Sequence, residues 1–190
     1  MITHIGRSAP TYHVISELPE TRLSRAIDKL LVPIGEGISW LWLLLMLTIV
    51  GNVVLRYAFG EGRVEFEEIQ WHIYACGFLL GLSYAYQTDS HIRVDVLQEY
   101  FGARTCAWLE LYGTLLLLLP FIALVLIFSV PFVVVSFELQ EVSQAPGGLP
   151  MRWLIKAALP IGFALLLLGA LSRLSKIWSF LFFQQPPSKL

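Results

Sequence analysis

The residues best suited to chemistry in this chain are four histidines, two cysteines and two groups of acids, and their spacing decides what they can do. Histidines on facing helices hold b-type haem in the membrane anchors of respiratory complexes. His72 and His91 would stand roughly 28 Å apart along a continuous helix, so one haem cannot join them within a single chain. His4 and His13 precede the first apolar run. Cys76 and Cys106 belong to no C-x-x-C pair and no Cys/His cluster, so they read as small apolar fillers. The expectation is no catalytic, substrate-binding or metal-binding residue in this chain, and no cofactor.

The acids have a different use. Glu61, Glu65, Glu67 and Glu68 crowd the connection between two apolar runs, and Glu138 and Glu141 follow a third. Arg56 lies just ahead of the first group. Its pairing with Glu67 or Glu68 would tie two helices together; separate solvation is the alternative. A second constellation, His91, Arg93 and Asp95, alternates with Ile92, Val94 and Val96. It is expected to lock a turn by mutual hydrogen bonds or by contact with lipid head groups, against the plainer reading of a polar loop.

These groups must be positioned by the elements around them, and hydropathy defines those elements. Apolar stretches cover residues 38–55, 66–86, 107–137 and 153–171 of the 190. A hydrocarbon core ~30 Å thick needs ~20 apolar residues of helix. The expected fold is an all-α membrane protein with four transmembrane helices, near 37–58, 66–87, 105–137 and 152–173. Residues 1–190 then form a single membrane domain, with no room for a soluble one. The formal net charge of −1 offers no electrostatic case for nucleic acid.

Residues 1–30 are polar or amphipathic and do not resemble a cleaved signal peptide, so the first span is expected to serve as its own insertion signal. Within 19–34, Leu23, Ala26, Ile27, Leu30, Leu31 and Ile34 fall at helical spacing. Arg22, Arg25, Asp28 and Lys29 read as the opposite, polar face. This predicts an amphipathic helix in the interface, a simple flanking helix or one that packs on a partner subunit. Lys and Arg mark the cytoplasmic side of short loops. Nine fall on the side of the two termini and four on the other, which predicts both termini in the cytoplasm.

Trp40 and Trp42 at one end of span one, and Tyr57 and Phe59 at the other, match interfacial aromatic belts. Span two is the most polar, and its Gly77 and Gly81 form a G-x-x-x-G pair, so it is the best candidate to face protein. Span three is too long to be straight and perpendicular, and Pro120 and Pro131 should bend it. Glu110 and Lys156, near the ends of spans three and four, can snorkel or face water. Spans three and four carry almost none of the midplane polar groups a transport path needs, and no inverted repeat is visible.

Three segments resemble the small membrane subunit of tripartite ATP-independent periplasmic (TRAP) transporters, the DctQ-type family. Residues 53–59, V-V-L-R-Y-A-F, resemble the family's R-Y-x-F ending of span one. Residues 67–72, E-E-I-Q-W-H, resemble its acidic helix opening. Residues 91–97, H-I-R-V-D-V-L, resemble its H-I/V-x-V-D motif. The turn and helix start at 146–156, P-G-G-L-P-M-R-W-L-I-K, look like a subgroup labelled as mannitol or chloroaromatic transporters. The resemblance covers about 20–178. Val64 and Phe66 depart from it, since the family often has a Trp ahead of the span-two acids.

The resemblance implies a non-catalytic scaffold in the bacterial inner membrane. It would pair with a large, elevator-type subunit that carries the substrate and sodium sites. A periplasmic binding protein would deliver an organic acid. Glu61, Glu65, Glu138 and Glu141 would then form part of the docking surface for that protein. Two other classes stay open: a haem-bearing anchor of a redox complex, and the small subunit of a tripartite tricarboxylate transporter.

Overall fold

The computed structural model describes residues 18–60, 62–88, 101–145 and 147–183. They form four long helices: α1 (Arg22–Ala58), α2 (Val64–Gln87), α3 (Ala103–Glu138) and α4 (Arg152–Phe182). No strand occurs among the described residues. Glu61, His91, Arg93 and Asp95, singled out above, lie outside them.

α1 opens with a reciprocal cap. The Thr21 hydroxyl accepts from the Ser24 N–H, and the Ser24 hydroxyl accepts from the Thr21 N–H, each at 3.0 Å. Two orphan donors of the first turn are thereby satisfied. The helix then runs 37 residues, Pro33 included, without a break. The segment expected as a separate interfacial helix over 19–34 is therefore continuous with the first span. Pro33 is exposed, so the carbonyl it deprives of a donor can turn to a polar neighbour or water.

The apolar stripe of that segment divides in two. Leu23 and Leu30 remain exposed, whereas Ile27 and Leu31 are buried together with Ser24 and Gly35. The buried set follows the i, i+3, i+4 spacing of one helix face, and Asp28 falls along its edge. Asp28 thus lies against the other helices, not on the outward polar side assigned to it from sequence.

Pro120 is accommodated by a widened turn. Residues Thr114–Leu118 are π-helical, and the Leu119 N–H reaches back to the Thr114 carbonyl. Proline supplies no N–H and crowds the carbonyl four residues earlier; one wider turn relieves that crowding without breaking the helix. α3 remains a continuous 36-residue element through both Pro120 and Pro131.

α4 is the helix on which the others assemble. It packs against α1, α2 and α3, and α2 packs between α1 and α4. α4 comes close to the backbone of α2 at Gly162, where a Cβ would stand 2.5 Å from the Leu79 carbonyl oxygen. The G-x-x-x-G pair of α2 is looser. A Cβ at Gly77 would make ordinary contact with Leu41 and Trp42, and one at Gly81 would meet nothing within 4 Å. One apolar cluster joins Ile122 to Phe163, Leu166 and Ala170; another joins Ala107 and Leu111 to Ile177 and Leu181.

Much apolar surface stays outside these clusters. None of the apolar window of α1 is buried, against 33% of that of α4. α1, α3 and α4 are each long and apolar enough to cross a membrane. α2 has the length, at 24 residues or about 36 Å, but opens with Glu65, Glu67, Glu68, Gln70 and His72.

Candidate functional site

The ionisable groups gather at the two ends of the helix group. No Asp, Glu, Lys, Arg or His occurs within 37–55, 73–88, 111–137 or 157–172. The end where α1 begins and α4 finishes is called the tail end here, and the opposite one the loop end.

At the tail end, Asp28 of α1 is the hub. Its carboxylate accepts from the Ser172 hydroxyl and from Lys176 Nζ, each at 2.8 Å, and from the Gln87 side-chain amide. One carboxylate therefore binds α1, α2 and α4 together. Thr21 and Ser175 hydroxyls meet at 2.7 Å beside it. α3 is fastened separately: Arg173 Nε donates to Glu110 Oε1 at 2.6 Å, with both side chains largely buried. Glu110 is thus engaged inside the protein, where the sequence suggested snorkelling or water.

At the loop end, Glu68 of α2 accepts from the Ser143 hydroxyl and, at 2.6 Å, from the Leu149 N–H. It fastens the α3–α4 connection to the start of α2. Glu141 accepts from the Ser136 hydroxyl at 2.7 Å and from Lys156 Nζ. Those two donors, Lys156 foremost, hold its carboxyl below the usual range. Lys156 also stands 4.2 Å over the Phe132 ring, and Trp153 meets Phe137 edge-on at 5.3 Å. Lys156 is therefore an internal partner, not a snorkelling cation.

The residues predicted from sequence separate into distinct environments. Arg56 and Glu67 are exposed and line one cleft between α1 and α2, with no ion pair between them among the described residues. Glu68 turns from α1 towards the α3–α4 connection. Glu65 lies beside Gly147, Glu138 is exposed at the end of α3, and Glu141 is held by Lys156. His72 makes a local contact, Nδ1 to the Glu68 carbonyl at 2.6 Å. No group of three His, Cys, Asp or Glu among the described residues could hold a metal ion.

Sequence reasoning missed the tail-end network of Asp28, Gln87, Ser172 and Lys176, and the Glu110–Arg173 pair. A signal for the latter was present. A lone charge within a membrane-crossing helix is costly, so a Glu near one span end calls for a cation at the same depth.

What these groups can do is join helices, and the exposed apolar flanks can meet only lipid or other protein. The fold and its anchors define a multi-pass helical membrane protein. Its residues 45–180 match the family model of the DctQ component of tripartite ATP-independent periplasmic transporters, and the chain belongs to that family. It is a small membrane component of a transporter type that also has a larger membrane component and a binding protein. No significant match is found among curated proteins or among solved structures.

Proposed function

We propose that this chain is the non-catalytic, stationary brace of a sodium-coupled transporter for organic acids in the bacterial inner membrane. All four helices cross the bilayer, with both termini in the cytoplasm and the loop end in the periplasm. The first turns of α1 continue the span to the cytoplasmic side, packed against the end of α4. The large elevator-type subunit carries substrate and sodium, and a periplasmic binding protein docks on the loop end, where Glu61, Glu65 and Glu138 contribute negative charge. His91, Arg93 and Asp95 secure the cytoplasmic turn between α2 and α3.

The observation that carries this reading is the distribution of charge. The middle of every helix lacks ionisable acids and bases, while both ends are cross-linked by them. A moving, ion-coupled path needs polar groups at depth; a rigid wall needs apolar sides and fastened ends. α2 is long enough to cross, and Glu65 and Glu67 fall in its first turn, with Glu68 directly after, where a helix N-terminus favours negative charge.

The test is reconstitution. The chain should co-purify with a large membrane subunit encoded beside it, and sodium-dependent organic-acid uptake into liposomes should require both plus the binding protein. Uptake by the chain alone, or full uptake by the large subunit without it, would overturn the proposal.

A further inference from the structure

The cleft between the loop-end halves of α1 and α2 has a volume of about 450 Å³, within the ~300–1,000 Å³ of small-molecule sites. Its lining changes character along its length. Leu45, Ile49 and Val53 make an apolar floor towards the helix middle. Asn52, Arg56, Glu67 and Gln70 make a polar mouth beside Trp71, and Tyr74 lies at the deeper, apolar end. The Gln70 side-chain nitrogen is buried and has no hydrogen-bond partner among the described residues. A buried amide donor without an acceptor is costly and rare in native proteins. Arg56 and Glu67, opposite in sign, share the cleft without forming an ion pair.

We propose that this cleft binds one zwitterionic phospholipid of the outer leaflet, of the phosphatidylethanolamine class. Arg56 takes the phosphate oxygens by charge-assisted hydrogen bonds, and the Gln70 amide, buried without an acceptor in the lipid-free chain, rotates into the cleft to join it. Glu67 takes the ammonium group. An acyl chain lies along Leu45, Ile49 and Val53 with the Tyr74 ring beside it, and the Trp71 ring, nearer the mouth, lies towards the depth of the head groups. Separated opposite charges at one mouth match a head group that carries both signs. A purely anionic head group would satisfy Arg56 and oppose Glu67.

This inference rests on α1 and α2 crossing the bilayer as proposed above, and not on the pairing with a large subunit. Native mass spectrometry of the full chain tests it, with delipidated protein offered phosphatidylethanolamine or phosphatidylglycerol in detergent. The chain should retain one phosphatidylethanolamine in preference. Arg56→Gln should weaken retention of both lipids about tenfold, the scale of a lost charge-assisted bond. Glu67→Gln should abolish the preference by improving phosphatidylglycerol retention. Gln70→Leu should lower lipid retention without lowering thermal stability, because it removes a buried donor that lacks a protein acceptor. Unchanged melting of each variant without lipid shows that its fold is intact.

Equal retention of both lipids by all variants would overturn the proposal. So would a complex in which cross-linkers at positions 56 and 67 capture the large subunit and no lipid remains, since the cleft would then be a protein interface. Failure of lipid retention with intact complex formation sinks this inference alone; failure of complex formation with intact lipid retention sinks the brace reading alone.

Discussion

Asp28, the seventh residue of α1, and Lys176, the seventh residue from the end of α4, face each other at 2.8 Å with about a fifth of each side chain exposed. They lie 148 positions apart in the chain. Their contact joins α1 to α4 beside Ser172 and Gln87.

Removing one member should cost far more than removing both. Lys176→Met leaves the Asp28 carboxylate without its cation and should destabilise the chain by about 3 kcal/mol, the scale for breaking a buried pair. Asp28→Leu combined with Lys176→Met should recover a large part of that loss. Thermal melting in one detergent, followed by tryptophan fluorescence, measures the difference. A double variant as unstable as the sum of the single ones would show that the two residues act independently.

The Glu110–Arg173 pair should be specific for a planar, forked cation. Arg173→Lys keeps the charge but not the guanidinium geometry. It should lie between wild type and Arg173→Met in melting temperature, with α3 detaching from α4 first. Cross-linking between cysteines placed at 107 and 177, two positions in one buried cluster, reports that detachment.

Gly162 should tolerate nothing larger. Gly162→Ala places a methyl 2.5 Å from the Leu79 carbonyl oxygen and must push α2 off α4. A loss of about 1–3 kcal/mol is expected, the range for overpacking. Gly51→Ala is the control: its Cβ would meet nothing within 4 Å, so melting should stay level or rise.

Glu68 should be the clasp of the α3–α4 connection. Glu68→Ala removes the acceptor of the Leu149 N–H and of the Ser143 hydroxyl. Hydrogen exchange at the Leu149 amide should accelerate about tenfold or more, while amides in the middle of α4 stay protected. Equal exchange in both proteins would mean the connection is held by other contacts.

Glu141 sets an acid limit. Its carboxyl is held below the usual range by Lys156 and Ser136. A depressed carboxyl contributes stability that is fully present above the unfolded pKa of ~4.3 and is lost as pH falls through the lower folded value. Glu141→Gln should therefore melt below wild type at pH 7, and the gap should close as both are taken below pH ~4. A gap that persists unchanged in acid would assign the effect to hydrogen bonding by the neutral side chain.

The long apolar runs were legible in the sequence because a bilayer demands length and a narrow chemistry. The starts of α2 and α4 were legible as well, through the acids at 65–68 and the turn residues around 146–150, whereas α4 runs on to Phe182, past the apolar stretch that marked it. Partner faces were not. The segment at 19–34 carries enough apolar residues for two contacts, and periodicity alone cannot say that Ile27 and Leu31 turn inward while Leu23 and Leu30 turn out. Asp28 was misplaced for that reason. Glu68 and Arg56 looked like neighbours because they flank one short connection. Yet the Glu68 carboxylate finds a hydroxyl and a backbone N–H 75 and 81 residues away, a choice set by the fold of the α3–α4 connection. The π-helical turn before Pro120 was foreseen only as a bend, since proline announces a disturbance and not the form that relieves it.

Because α4 follows the other three described helices in the chain and is their common contact, this helix group cannot close until α4 has been made. A nascent chain that has inserted α1, α2 and α3 has Asp28 without Lys176 and Ser172, and Glu110 without Arg173. Those stranded acids are a chemical mark of immaturity in the membrane. A product cut short before residue 172 cannot erase that mark, which gives quality-control proteases a physical basis for telling it from the finished subunit.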